Sequence, residues 1–395
     1  MDYTRVLNQS ILSIPPSGIR KYFDLLQGME DGISLGIGEP DFITPWHIRN
    51  AGIRSLEKGY TKYTPNAGLS DLRRAISEYM KRRFDLDYAP QGQILVTVGG
   101  SEGIDLALRC LLRPGDEVII PTPSFVCYAP LTAMAGGVPV SVRTRAEDRF
   151  RLTADSLRRA VTPRTKVLVL PFPNNPTGAI MERKDLEAIA EVLRDTEIMV
   201  LSDEIYAELT YGPKHVSIAQ LPGMYERTVV VNGFSKSHSM TGWRMGYLCA
   251  PKEIVAAMTK LHQFGIMSAP TTSQYAAIEA MRNGDRDIEQ MRAEYDARRR
   301  FLLGEFKKLG LSCFEPQGAF YMFPDITSTG LTSDEFCEQL IRRERVAVIP
   351  GTAFGAGGEG FVRACYAASM KDLAEAVRRI GRFLETIKQE KSEEK

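Results

Sequence analysis

Between about residues 92 and 250 the chain alternates short apolar runs with amphipathic helical stretches, and this alternation restricts its fold more than any other feature. The apolar runs are Ile94 to Val98, Glu117 to Pro121, Pro139 to Val142, Lys166 to Leu170, Ile198 to Ser202, Thr228 to Asn232 and Gly246 to Ala250. Helical patterns such as Glu102 to Leu112 and Lys184 to Arg194 fall between them. Short apolar runs separated by helices predict a largely parallel sheet covered on both faces. Ligands of such sheets bind beyond the carboxyl ends of the strands.

After residue 285 the grammar changes. A long charged helix, Asp287 to Leu309, leads to short strands at Ala319 to Phe323, Val346 to Ile349 and Phe361 to Tyr366. Helices Ser333 to Arg343 and Met370 to Ile387 flank them. With 395 residues the chain is too long for one core. The expected division is a large α/β domain over 46–284 and a smaller α+β domain over 285–395, completed by the N-terminal arm 1–45. The terminal KQEKSEEK is too charged to pack and is expected to fray.

Composition excludes several classes. A net charge of +1 gives no footprint for nucleic acid or a membrane surface. No apolar run approaches the ~18 residues of a membrane span, and the N-terminus lacks a signal peptide's charge order, so a cytoplasmic protein is expected. The six cysteines are scattered singly and read as reduced thiols. The four histidines show no ligand spacing, so no metal site is expected.

The run Ser235-Lys236-Ser237-His238-Ser239-Met240-Thr241-Gly242-Trp243-Arg244-Met245-Gly246 follows an apolar strand. One amine, two hydroxyls and a guanidinium at a strand end suit an aldehyde cofactor carrying a phosphate. Lys236 can form a Schiff base, while Ser235 and Arg244 can hold the dianion. A lone Ser-Lys pair would be an ordinary surface lysine. The whole string resembles the attachment-lysine signature of class I/II aminotransferases, the pyridoxal-phosphate enzymes of fold type I. That resemblance implies an α/β fold with a mostly parallel mixed sheet, pyridoxal 5′-phosphate, and ping-pong transfer through a Lys236 aldimine.

Other motifs acquire roles from the same resemblance. Asp203, in Ser202-Asp203-Glu204-Ile205-Tyr206, would otherwise read as a helix cap. The resemblance sets Asp203 against the pyridine nitrogen, and Tyr206 at the cofactor's phenolic oxygen. Asn175, in Asn174-Asn175-Pro176-Thr177-Gly178, sits in a good turn sequence and is expected to donate to that same oxygen. Gly99-Gly100-Ser101-Glu102-Gly103 opens a helix, where backbone amides bind phosphate well. Gly100, Ser101 and Glu102 are therefore expected in the phosphate cup, and Phe125 resembles the aromatic that stacks on the ring.

Substrate residues follow too. Arg363 sits in the strand-like Phe361 to Tyr366, where a salt bridge would be the ordinary explanation. In the family an arginine of this strand holds the substrate α-carboxylate, a good use of a guanidinium fork. Gly38 matches a glycine whose backbone approaches the substrate. Tyr63, in Lys62-Tyr63-Thr64-Pro65-Asn66-Ala67-Gly68, matches a tyrosine that reaches the neighbouring subunit's phosphate, which implies a homodimer.

The motifs S-K-S-H-S-M-T-G-W-R and Y-T-P-N-A-G resemble bacterial aspartate, aromatic and N-acetyl-diaminopimelate aminotransferases. Ser101 stands where acid-specific enzymes often carry lysine, which argues against strict aspartate specificity. The alternatives are a β-lyase on the same fold and a non-catalytic effector sensor. Such sensors carry a DNA-binding domain first, and fewer than 40 residues precede Gly38.

Overall fold

The computed structural model describes residues 1–16, 18–26 and 29–393; the side chains of Phe23, Asp24, Leu26 and Ala356 lie outside the description. Strand β1 (Ile33–Ser34) precedes seven strands that build the central sheet. These are β2 (Ile94–Thr97), β3 (Glu117–Thr122), β4 (Val138–Arg143), β5 (Thr165–Leu170), β6 (Met199–Asp203), β7 (Thr228–Gly233) and β8 (Gly246–Cys249). They correspond, with small shifts at their ends, to the seven apolar runs.

The sheet order is β2-β8-β7-β6-β5-β3-β4. Strands β4, β3, β5, β6 and β7 pair in parallel, whereas β8 runs antiparallel to both β7 and β2. Parallel neighbours need a crossover connection, usually a helix. The segment between β7 and β8 carries only turns, so β8 folds straight back. That segment is the one containing Lys236. Strand β4 lies at the edge and is largely exposed, and its Pro139 is tolerable because an edge strand need not donate outward.

Four short strands follow: β9 (Tyr321–Met322), β10 (Val346–Ala347), β11 (Ile349–Pro350) and β12 (Val362–Cys365). β12 lies between β11 and β9, antiparallel to both, and β1 pairs in parallel with β10. The N-terminal arm is thereby stitched to the C-terminal part of the chain. Helices Asp285–Lys308, Ser333–Glu344 and Met370–Glu393 surround this sheet. The apolar cluster beneath them also includes Tyr206, Leu209 and Tyr211, so it reaches the end of β6.

One expectation needs correction. The final charged stretch does not fray at Lys388, because the last helix continues to Glu393. Its residues from Lys388 onward stay exposed, as their charge requires, and Glu390 pairs with Arg343 at 2.7 Å. Helical hydrogen bonds need no apolar face, so failure to pack does not unwind the turn. Residues 394–395 of that stretch lie outside the described residues.

The start of helix Gly99–Leu111 crosses β8 at very close range. A Cβ placed on Gly246 would fall 2.5 Å from the Gly99 carbonyl carbon and 2.7 Å from the Gly100 nitrogen. Backbone cannot move aside as a flexible side chain can. Gly246→Ala should therefore destabilise the protein by about 1–3 kcal/mol, the usual range for overpacking. Denaturant unfolding with an unchanged midpoint would show that the two segments are not held this close.

Candidate active site

The carboxyl ends of β2, β3, β5, β6 and β7 open onto one cavity of about 960 Å³. Strand β2 shares this edge because two successive antiparallel pairings, through β8, leave it parallel to β7. Phe125 follows β3, Asn175 follows β5, Asp203 ends β6, and Ser235 and Lys236 follow β7. Gly100 and Ser101 begin the helix after β2, and Arg244 precedes β8. Gly38 and Arg363 reach the cavity from outside the central sheet.

Lys236, Arg363 and Asp203 line this cavity, and none of them has an ion-pair partner among the described residues. The Lys236 amine donates to the Gly38 carbonyl at 2.6 Å. Burial pushes its pKa down to about 8, and the Arg363 and Arg244 guanidiniums push the same way. Arg363, only 2 % exposed, donates from Nη1 to Asn175 Oδ1 at 2.8 Å and from Nη2 to the Gly36 carbonyl at 2.5 Å. Its Nε is buried without a partner among the described residues. The rings of Tyr321 and Phe354 lie 4.5 and 4.8 Å from the guanidinium carbon. The salt bridge that would explain a buried arginine structurally is not there.

Asp203 is the third. Its carboxylate accepts from the Tyr128 hydroxyl at 2.7 Å and from the Ile205 amide at 3.2 Å. Burial raises its pKa despite those two donors, which favour the charged form. A cation facing this carboxylate would reverse the balance. Tyr206 is also buried, its hydroxyl 2.7 Å from that of Tyr321, and burial keeps it protonated.

A separate corner suits an anion. Arg244 holds a left-handed backbone at φ 51°, and its Nη1 donates to the Thr241 carbonyl at 2.9 Å. Its guanidinium passes so near Gly99 that a Cβ there would lie 2.7 Å from Nη2. Ser235 and the first amides of helix Gly99–Leu111 share the same end of the sheet. Helix N-terminal amides with a guanidinium beside them form an oxyanion cradle.

The side chains of two expected residues do not line this cavity. Glu102 does not line the cavity: its carboxylate accepts from the Val98 amide and lies 2.7 Å from His262 Nδ1. At 100° per residue the helix turns Glu102 away after Gly100 and Ser101 have faced the cavity. Tyr63 is 83 % exposed and lies outside the cavity of this chain. Conversely, Tyr128 and Tyr321 line the site and were not singled out. Tyr128 lies three residues beyond Phe125, but an aromatic in that run reads as core, so only its contact with Asp203 reveals it.

The model of the family aminotransferase class I and II matches residues 30–380. Aromatic-amino-acid aminotransferase 2 of Thermococcus litoralis is 46 % identical, over 97 % of this chain and 99 % of its own length. The aspartate aminotransferase of Pyrococcus abyssi is also 46 % identical, over 94 % of this chain and 96 % of its own. Among solved structures, the aspartate aminotransferase of Thermus thermophilus with maleate superposes with a TM-score of 0.91 at 38 % identity, covering 95 % of this chain and 99 % of that one.

The depressed Lys236 pKa has a measurable sign. The folded protein releases this proton near pH 8, while an unfolded lysine holds it to about 10.5. Raising pH through that window therefore favours the folded state through this group. In protein freed of small ligands, acylation of Lys236 followed by peptide mass spectrometry should accelerate with a midpoint near pH 8. A midpoint above 10 would mean the amine is not desolvated.

Proposed function

The chain belongs to the aminotransferase class I and II family and is an aminotransferase, and we propose that its cavity holds pyridoxal 5′-phosphate and passes an amino group from an L-amino acid to a 2-oxo acid. One observation carries the reading: Lys236, Asp203 and Arg363 face a single cavity, and among the described residues no salt bridge neutralises any of them. Buried charges of that kind are costly unless something completes them.

The residues present fit the group. Ser235, Arg244 and the amides at Gly100 and Ser101 would take its phosphate. Phe125 would lie against its ring, Asp203 would face the ring nitrogen, and Tyr206 and Asn175 would donate to its phenolic oxygen. When bound, the group supplies an aldehyde carbon that reacts with amines and a ring that accepts electrons from the substrate carbon.

The chain's own residues do the rest. Arg363 binds the substrate α-carboxylate as a fork, exchanging neutral acceptors for a full negative charge. The stacked rings of Tyr321 and Phe354 hold that fork in plane. Lys236 would take the proton from the substrate's Cα and deliver it to the aldehyde carbon that the bound group supplies, on the far side of the amino nitrogen. An amine titrating near 8 is neutral often enough at neutral pH to act as a base. Tyr128 keeps the Asp203 carboxylate in place so that its charge persists opposite a cation.

The names of the relatives favour amino exchange over β-elimination. One relative is named for aromatic and another for aspartate substrates. Here Ile19 and Ile37 offer an apolar wall at the same cavity, which suits an aromatic side chain. We also retain a two-lobe division near residue 285. Among the described residues no helix is long and apolar enough to cross a membrane, and all six cysteines are free; both accord with a cytoplasmic enzyme.

A homodimer with shared sites is the proposed assembly, with Tyr63 reaching the partner's phosphate. Its support is the exposure of large apolar side chains: Ile43, Trp46, Tyr63, Phe264 and Met267 are all exposed, Phe264 to 86 %. Asn66 donates to the Met267 carbonyl at 2.8 Å, so the Tyr63 segment lies beside the Phe264–Met267 stretch.

Arg363→Lys keeps the charge but loses the fork, so KM should rise about tenfold to a hundredfold for every amino acid and 2-oxo acid. Steady-state kinetics showing a loss confined to dicarboxylic substrates would assign Arg363 to the side chain instead. Subunits of Lys236→Ala and Tyr63→Ala should complement each other when mixed. The hybrid concentrates both lesions in one site and leaves the other intact, so it should outperform either parent. Hybrids no more active than the parents would place Tyr63 outside the shared site.

A further inference from the structure

Tyr321 belongs to none of the motifs, yet it touches three residues that do. Its hydroxyl lies 2.7 Å from that of Tyr206, and its ring centroid lies 4.5 Å from the Arg363 guanidinium carbon. A Cβ on Gly38 would fall 2.6 Å from the same hydroxyl, so the glycine leaves room for it. We propose that Tyr321 is a positioning residue that strengthens the hydrogen bond from Tyr206 to the cofactor's phenolic oxygen and sets the plane in which Arg363 meets the substrate carboxylate. The inference rests on the reading of the cavity given above.

Two hydroxyls here share one hydrogen bond, and either can donate. Once Tyr206 donates outward to a ligand oxygen, its own oxygen can only accept, and Tyr321 becomes the donor. A hydrogen bond received by Tyr206 polarises its O–H and strengthens the one it gives. Geometry leaves little freedom to break this relay. Both tyrosines are buried, and their rings meet edge to face at 78°, with Phe320 perpendicular to Tyr206 at 90°. A phenylalanine would fill the same space, so the relay depends on the hydroxyl alone.

The second role belongs to the ring. Arg363 lies between Tyr321 and Phe354, with its Nη1 and Nη2 directed at Asn175 and Gly36. Removing one ring would let the guanidinium tilt out of the plane that a carboxylate needs. Hydroxyl and ring are therefore separable by substitution.

The test uses the loaded enzyme and reads the pH at which the bound cofactor's visible absorbance titrates, together with kcat and KM. Weaker donation from Tyr206 leaves more negative charge on the phenolic oxygen, which holds the neighbouring proton more tightly. Tyr321→Phe should therefore raise the titration midpoint by about half to one pH unit, the size of one net hydrogen bond. It should lower kcat while leaving KM within about twofold, because the stacked ring remains. Tyr321→Leu should add a KM increase of about fivefold or more for amino acids. In a Tyr206→Phe background, Tyr321→Phe should shift the midpoint no further. An unmoved midpoint in Tyr321→Phe, or an equal shift when the Tyr206 hydroxyl is already absent, would overturn the proposal. A wild-type enzyme without a titrating visible band would overturn the reading of the cavity itself, and this inference with it.

Discussion

Two buried cations rest on the backbone of one three-residue stretch. Arg363 donates to the carbonyl of Gly36, and Lys236 donates to that of Gly38. A carbonyl dipole compensates a desolvated cation only in part, because a full opposite charge is missing. The shortfall is visible in Lys236, whose pKa falls to about 8. Asp203 has the mirror-image problem, with a hydroxyl and one amide standing in for a cation. The frame tolerates this because its strands are buried and closely packed, so the charged groups cannot relax away from one another.

Much of the architecture was legible because its signals are local. Each apolar run is a strand, and the glycine-rich and hydroxyl-rich turns fall just beyond the strands' carboxyl ends. Lys236 was legible for the same reason: the residues that define its surroundings lie within a dozen positions. That turn also reverses the chain and makes β8 antiparallel, a consequence of having no helix to cross back. The resemblance supplied roles that spacing alone left open, such as Asp203 as more than a helix cap.

What stayed hidden depends on long-range pairing. Tyr128 meets Asp203 across 75 positions, and Tyr206 meets Tyr321 across 115. Each of these aromatics sits in an apolar run where core packing is the ordinary explanation, and only tertiary contact shows the hydroxyl being used. The side chain of Glu102 was hidden for a different reason. The motif named a turn, but helical rotation divides its residues between cavity and interior, and the carboxylate went to Val98 and His262.

Arg363 and Lys236 come from separate sheets, so something must fix their separation. β1 pairs with β10, and the Cys365 amide donates to the Leu35 carbonyl at 2.7 Å, which ties residues 33–35 to β12 beside Arg363. The chain then runs directly through Gly36 and Gly38 to meet both cations. Gly38 has no side chain to keep Tyr321 away, so the same stretch also admits the hydroxyl that reaches Tyr206. A displacement of this short segment would alter the environment of Arg363, Lys236 and the tyrosine pair together. The surroundings of Arg363 and of Lys236 are thus joined through backbone carbonyls and one missing Cβ, with no direct contact needed between the two cations.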